Sequence, residues 1–222
     1  MKGTDAEAEV AGERVVLLPE RAVFRPATGQ LLVADAHWGK AATFRAAGIA
    51  VPGGTTGEGL ARLDAALRRT GAGEIVFLGD LFHARQGKSA AVLAEVREWR
   101  ARHPALRLLL VRGNHDRGAG DPPADLGFEV ADPPRASSPF IYAHHPEPDA
   151  GGYVLAGHIH PAVVLRGRGG TRERLPCFHF GRQVGILPAF GGFTGNATVA
   201  PLPGDRVFVV AGDEVLRVAG GA

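Results

Sequence analysis

The chain has 222 residues, 45% of them hydrophobic, with 25 Lys and Arg against 23 Asp and Glu. That length and apolar content suit one domain with a sizeable core, which excludes a disordered chain and a small disulfide scaffold. A formal net charge of +2 argues against nucleic-acid binding by bulk electrostatics alone, and the single cysteine, Cys177, excludes an internal disulfide or a thiolate metal cage.

The N-terminal MKGTDAEAEVAGE is acidic and lacks an apolar stretch, so no signal peptide is expected, and no apolar run approaches membrane-spanning length. A soluble cytoplasmic protein is the expectation. VVLL (15–18), AVF (22–24) and LLVAD (31–35) read as an opening meander with a turn at ATGQ (27–30). The period then becomes helical over 54–71, with leucines at 60, 63 and 67, capping-box spacing at Thr55 and Glu58, and Gly71 as the stop. EIVFLGD (74–80) is a strand. A second helix is expected over 89–104, with Ser89 as its N-cap and Pro104 closing it. LRLLLVRG (106–113), FIYAHH (140–145) and YVLAGH (153–158) are further strands, most of them apolar on both faces. After His160 the pattern is short strands and Gly-rich turns without a helix, which predicts a mostly antiparallel second sheet. The expectation is one domain over 1–222, with an α/β portion over about 14–160 and a strand-rich portion over about 161–222.

Each of five consecutive strands ends in residues of metal-ligand type. They deliver Asp35 and His37, then Asp80, then Asn114, His115 and Asp116, then His144 and His145, then His158 and His160. In an open α/β sheet the carboxyl ends of the strands form one edge, where ligands bind. Asp35, His37, Asp80, Asn114, His144, His158 and His160 could therefore surround two divalent cations, with one carboxylate shared. Imidazole and oxygen donors without thiolate favour Mn, with Fe or Zn as alternatives. Two cations roughly 3.5–4 Å apart suit in-line displacement at phosphorus, the bridging hydroxide attacking.

The blocks "DAH", "GD", "GNHD", "HH" and "GHIH", in this order over residues 31–160, resemble the signature of the calcineurin-like metallophosphoesterase superfamily. The resemblance implies a four-layer α/β/β/α sandwich. It implies that Asp35, His37 and His160 hold one metal, that Asn114, His144 and His158 hold the other, and that Asp80 bridges. It also implies that His115 protonates or stabilises the leaving oxygen and that Asp116 orients the His115 ring. More narrowly, "ADAHWGKAATFRAAGIAVP", "FLGDLFHAR", "GHIHPAVVL" and "LPCFHFGRQVGILPAFGGFTG" resemble the bacterial ligase-associated DNA-damage-response metallophosphoesterases (PdeM-type, regarded as endonucleases). That likeness implies a nucleic-acid or nucleotide-like phosphodiester substrate and functional association with a DNA ligase, a helicase and an exonuclease. The alternatives are a phosphomonoesterase or nucleotide pyrophosphatase of the same fold and, from another class, an inactive scaffold.

Several residues carry two readings. Lys40 and Arg117 either clamp a phosphate or sit in solvent. His83 is read as a pocket wall, and His145 as either support for a ligand or a turn residue beside proline. Four arginines in RGRGGTRERL (166–175) read first as a solvated hairpin and second as a backbone contact for nucleic acid. Trp38 and the phenylalanines of AFGGFTG (189–195) read as core before base-stacking. His103 is expected at a solvated helix end, His179 is read as structural, and Cys177 as a buried strand residue.

Overall fold

The computed structural model describes residues 4–192 and 194–218. Four strands open the chain: β1 (Ala6–Val10), β2 (Glu13–Leu18), β3 (Ala22–Arg25) and β4 (Gln30–Val33), all antiparallel neighbours. β1 lies in the acidic segment that the sequence reading left without structure; its alternation places Ala8 and Val10 inward and Glu7 and Glu9 outward. Then come helices α1 (Lys40–Ala46) and α2 (Thr55–Thr70), strand β5 (Glu74–Leu78), helix α3 (Ala90–Arg102), strand β6 (Arg107–Val111), helix α4 (Asn114–Ala119) and strand β7 (Phe128–Ala131). The first sheet has seven strands in plain sequence order, and β4 to β7 run parallel. Right-handed crossovers that step in one direction all pass over the same face of a sheet. The helices therefore pack on one side, where Leu60, Leu63, Val96 and Trp99 meet Val33, Phe77 and Leu110 in one cluster.

The second sheet contains β8 (Arg135–Ser137), β9 (Phe140–Tyr142), β10 (Tyr153–Ala156), β11 (Pro161–Arg166), β12 (Arg172–Phe180), β13 (Val184–Ile186), β14 (Ala197–Thr198), β15 (Arg206–Ala211) and β16 (Glu214–Val218). It is more mixed than expected, because β9, β10 and β13 are parallel at its centre. That parallel core is why two ligand loops leave it at the same edge. The free face of the first sheet packs against it through Leu32, Val76, Leu109, Phe140, Tyr142, Phe178 and Phe208. The first sheet is thus covered on both faces, as its continuous apolar runs indicated. The arrangement is the two-sheet sandwich of the calcineurin-like metallophosphoesterase fold. Among the described residues no α-helix follows residue 119, so the helices flank the first sheet, while Val163, Cys177 and Val209 form a small apolar cluster of their own.

Caps differ in detail from the sequence reading. Ser89 accepts from the Val92 N–H as expected, and Gly71 ends α2 in the left-handed conformation. The capping box at Thr55 is not formed, because Gly54 is the N-cap and makes no side-chain bond. Thr56 instead accepts from the Gly39 N–H at 3.1 Å, tying α2 to the first ligand loop. Between the sheets lies a buried Arg25, which grips Glu13 with two bonds of 2.7 Å and donates to Ser137 and Tyr142. Pairing with a carboxylate and several oxygens offsets the desolvation of the guanidinium.

Candidate metal centre

The register Val33↔Phe77↔Leu110 brings the ends of β4, β5 and β6 to one level. Beyond the strands the pairing continues: the Asp35 N–H donates to the Gly79 carbonyl, and the His37 N–H donates to that of Asp80 at 2.9 Å. Five of the expected ligands, Asp35, His37, Asp80, His158 and His160, have left-handed backbones, with φ from 46° to 71°. Such conformations are uncommon outside glycine and cluster at functional sites. The ordinary extended course of a strand would send these side chains alternately to the two faces. The reversal instead aims them at the sheet edge.

Two glycines are required by close approach. A Cβ on Gly113 would stand 2.3 Å from Asp80 Oδ1 and 2.9 Å from the His144 ring. Gly113 has an extended backbone, φ −100°, so it is demanded by space and not by a left-handed turn. Gly79 combines a φ of 82° with His144 Nδ1 2.2 Å from where its Cβ would lie. The tip at 113–116 is no simple turn: α4 starts at Asn114.

Asp35, His37 and His160 come together, as do Asp35, Asp80 and His144, each set with its ligand atoms within 4.8 Å of one another. His37 Nε2 and His160 Nε2 face each other at 3.4 Å. His144 Nε2 lies 2.9 Å from Asn114 Oδ1 and 3.1 Å from His158 Nδ1. Asp80 reaches both groups: its Oδ2 is 3.9 Å from His37 Nε2 and its Oδ1 is 3.4 Å from His144 Nε2.

The donor chemistry fits divalent cations. His144 and His160 donate Nδ1–H to the carbonyls of Leu78 (3.0 Å) and Gly195 (2.8 Å), which turns the Nε2 lone pair of each inward. Asp35 is fully buried, and its Oδ1 accepts no hydrogen bond, although its Oδ2 takes the His158 N–H. An orphaned buried carboxylate oxygen facing imidazole lone pairs is costly unless a cation completes it. Burial, with help from the Lys40 charge, pushes the His37 ring down to about 2, which keeps it neutral as a ligand must be. Burial likewise lowers His144 and His158 and raises Asp80, the last opposed by the His115 N–H. For His160 burial acts downward, but the Asp35 carboxylate prevails and raises it.

Around this core the remaining expected residues separate. His115 stands half-exposed, its Nε2 3.9 Å from Asp80 Oδ2 and its Nδ1–H donated to the His83 carbonyl at 2.6 Å. Asp116 does not hold that ring, contrary to expectation. It is buried beneath the loop, where Oδ2 accepts from the N–H groups of Asp80 (2.7 Å) and Gly113 (2.8 Å) and Oδ1 from that of Leu81 (3.0 Å). The carboxylate thus fastens two ligand loops to each other.

The His83 ring stacks on His115 with centroids 4.8 Å apart, its Nδ1 is 3.5 Å from His37 Nδ1, and burial lowers it to about 4. His145 packs on His158 at 4.2 Å and is exposed. Lys40 is half-buried and close enough to feel Asp35 and Asp80, whereas Arg117 is exposed on α4. A cleft of about 390 Å³ opens beside His115 along His83, Arg85 and Gln86; another of about 240 Å³ opens beside His145 along Pro134, Ile141 and Val154.

Trp38 and Phe190 are buried core residues, while Phe193 lies outside the described residues. Cys177 is buried, and His179 pairs with Asp205 at 2.7 Å. His103 is not simply solvated, because its ring bonds Asp64 at 2.8 Å. Nothing in the sequence pattern pointed to Lys88, whose ammonium binds the carbonyls of Ala119, Gly120 and Asp121 at 2.7–2.9 Å and closes the end of α4. Nor could it reveal the carbonyls of His83 and Gly195, since any residue supplies one.

No helix among the described residues is long and apolar enough to cross a membrane. No protein-family model and no curated protein matches the chain. Among solved structures, the E. coli phosphoesterase Yfce aligns at 14% identity over 86% of this chain and 99% of its own, with a TM-score of 0.41, too loosely to carry weight. The Pseudomonas putida nuclease MPE is 43% identical over 97% of this chain and 100% of its own, with a TM-score of 0.86. With that identity along nearly the whole length of both, the chain belongs to the family of the Pseudomonas putida nuclease MPE, on a metallophosphoesterase-type fold.

Proposed function

We propose that the protein is a dinuclear metal-dependent phosphodiesterase, acting as one domain on nucleic acid as a nuclease. The observation that carries the reading is Asp80, whose two oxygens face different ligand groups. Asp35, His37 and His160 would hold one cation, and Asn114, His144 and His158 the other, with Asp80 shared. Two divalent ions, Mn in the first place given the oxygen and imidazole donors, would supply charge neutralisation at phosphorus and an acidified water. The protein's own part is positional. The His83 carbonyl holds His115 Nδ1–H, so the ring turns Nε2 to the cleft, where, as the doubly protonated imidazolium, it would give its Nε2 proton to the leaving oxygen and become neutral. Lys40, half-buried beside Asp35 and Asp80, would draw a phosphate oxygen toward the metal site. His83 and His145 line the two clefts, and Arg117, exposed on α4, would meet a phosphate from the His115 side.

The likeness to a nuclease supports a nucleic-acid substrate. The sequence resemblance extends this to DNA repair in the bacterial cytoplasm alongside a ligase, a helicase and an exonuclease. The test compares a chromogenic phosphodiester with its monoester under Mn, then single- and double-stranded DNA, using Asp80→Ala as the control. Diester and DNA hydrolysis that the variant abolishes is the expected outcome. A strong preference for monoesters would replace the reading with a phosphatase, and a fully active Asp80→Ala would remove the shared carboxylate.

A further inference from the structure

Charge is distributed unevenly along the chain. Between residues 150 and 204 there are five arginines (166, 168, 172, 174 and 182) and one acidic residue, Glu173, although the whole chain is nearly balanced. Four of the five fall in the β11–β12 hairpin, and β11 begins immediately after His160. The register pairs Ala162 with Pro176, Val164 with Arg174, and Arg166 with Arg172, while Val163 meets Leu175 and Leu165 meets Glu173. Directly opposed residues of an antiparallel pair share a face. Arg166, Arg172 and Arg174 therefore lie on one face, and Glu173 lies on the other, with the buried Val163 and Leu175.

All three arginines are exposed, and none has an acidic partner among the described residues; the Arg168 side chain lies outside them. Arg174 reaches the Asn196 carbonyl at 3.4 Å, one residue from Gly195, whose carbonyl holds the His160 ring. The arginine face is thereby joined to the metal centre at its inner end. At ~3.3 Å per residue, the Val164–Arg174 pair lies about 13 Å from His160 along the strand and the Arg166–Arg172 pair about 20 Å.

We propose that this hairpin face is a track for the phosphodiester backbone of a nucleic-acid strand whose scissile phosphate lies at the metal centre. The inference rests on the nuclease reading and adds to it the surface that grips the strand beyond the cleavage point. Guanidinium groups in a row without acidic partners, with the neighbouring carboxylate turned away, match a chain of phosphates and not a small diester. Backbone contacts of this kind carry no sequence information, so the track favours length over sequence.

The experiment measures kcat/KM under Mn for a single-stranded DNA oligonucleotide and for a small chromogenic phosphodiester across a range of salt. The triple variant Arg166→Ala, Arg172→Ala and Arg174→Ala is expected to keep its rate on the small diester within about twofold, which also certifies the fold. On the oligonucleotide it should lose about tenfold at low salt. Its slope of log kcat/KM against log salt should fall by about 2, at ~0.7 per contacted phosphate. The corresponding triple lysine variant should retain most of the slope. An alanine variant with unchanged oligonucleotide rate and slope overturns the track and leaves the nuclease reading intact. A wild-type enzyme that hydrolyses the small diester but no oligonucleotide overturns the nuclease reading and the track together.

Discussion

Replacing Asp116 by Asn separates structural support from catalysis at the third ligand loop. The side chain is 2% exposed and accepts three backbone N–H groups drawn from two loops. Asparagine keeps the shape but offers one oxygen. The best orientation leaves that oxygen on the Asp80 and Gly113 N–H groups and turns an NH2 toward the Leu81 N–H. One charge-assisted bond, about 1.5–3 kcal/mol, is lost, and the two survivors become neutral and weaker. Against this, the neutral amide escapes the burial that raises the Asp116 pKa, so part of the loss is recovered. The bonds win because all three donors remain buried, and the net destabilisation is about 2 kcal/mol. Asp116→Ala leaves all three donors unsatisfied and costs about 3–5 kcal/mol. Urea unfolding under chelation reads both values without a contribution from metal. A loss under about 0.5 kcal/mol for Asp116→Asn, paired with a large fall in kcat, would refute this account and return the carboxylate to the His115 ring.

His115→Ala should retain bound metal while kcat falls by ~10²–10⁴, as for loss of a general acid; metal analysis beside turnover checks it, and an unchanged rate removes the ring from the mechanism. Gly113→Ala forces a Cβ within 2.3 Å of Asp80 Oδ1, so the two ligand groups must part. Metal affinity should drop at least tenfold, since a displacement near 1 Å costs about 10² in activity; calorimetric titration with Mn reads it, and wild-type affinity would show that the loops yield freely. In the chelated protein, stability should decline from about pH 7 to about pH 5. The reason is that burial holds His37 at about 2 and His83 at about 4, below the unfolded value near 6.5, so unfolding takes up protons in that window. His160, held up by Asp35, acts in the opposite sense, and a flat profile of urea midpoint against pH would mean that the rings are solvated.

The convergence of Asp35, Asp80, Asn114 and the histidines was legible because each closes a run of buried apolar residues, and parallel strands end at one edge. The two long helices were legible from their leucine spacing and from Ser89. What escaped were features fixed by contact across the chain. β1 was hidden because its alternation is built of Ala and Glu, which resemble a solvated tail until β2 supplies a partner. α4 was hidden within a block whose ligand types drew the eye from its backbone. The family resemblance implied that Asp116 orients the His115 ring, yet besides the nearby Gly113 its partners are Asp80 and Leu81, some 35 positions away. The parallel pairing of β9, β10 and β13 depends on register that apolar runs do not encode.

The left-handed backbones at Asp35, His37, Asp80, His158 and His160 have a consequence for laboratory evolution. For an L-residue that conformation costs roughly 1–2 kcal/mol, which glycine largely avoids. At each of these positions a glycine would relax the chain and delete a ligand in the same step. A library sorted for heat resistance alone, under chelation, would therefore drift toward inert proteins. Glycine enrichment at those five sites would map the centre with no substrate in hand.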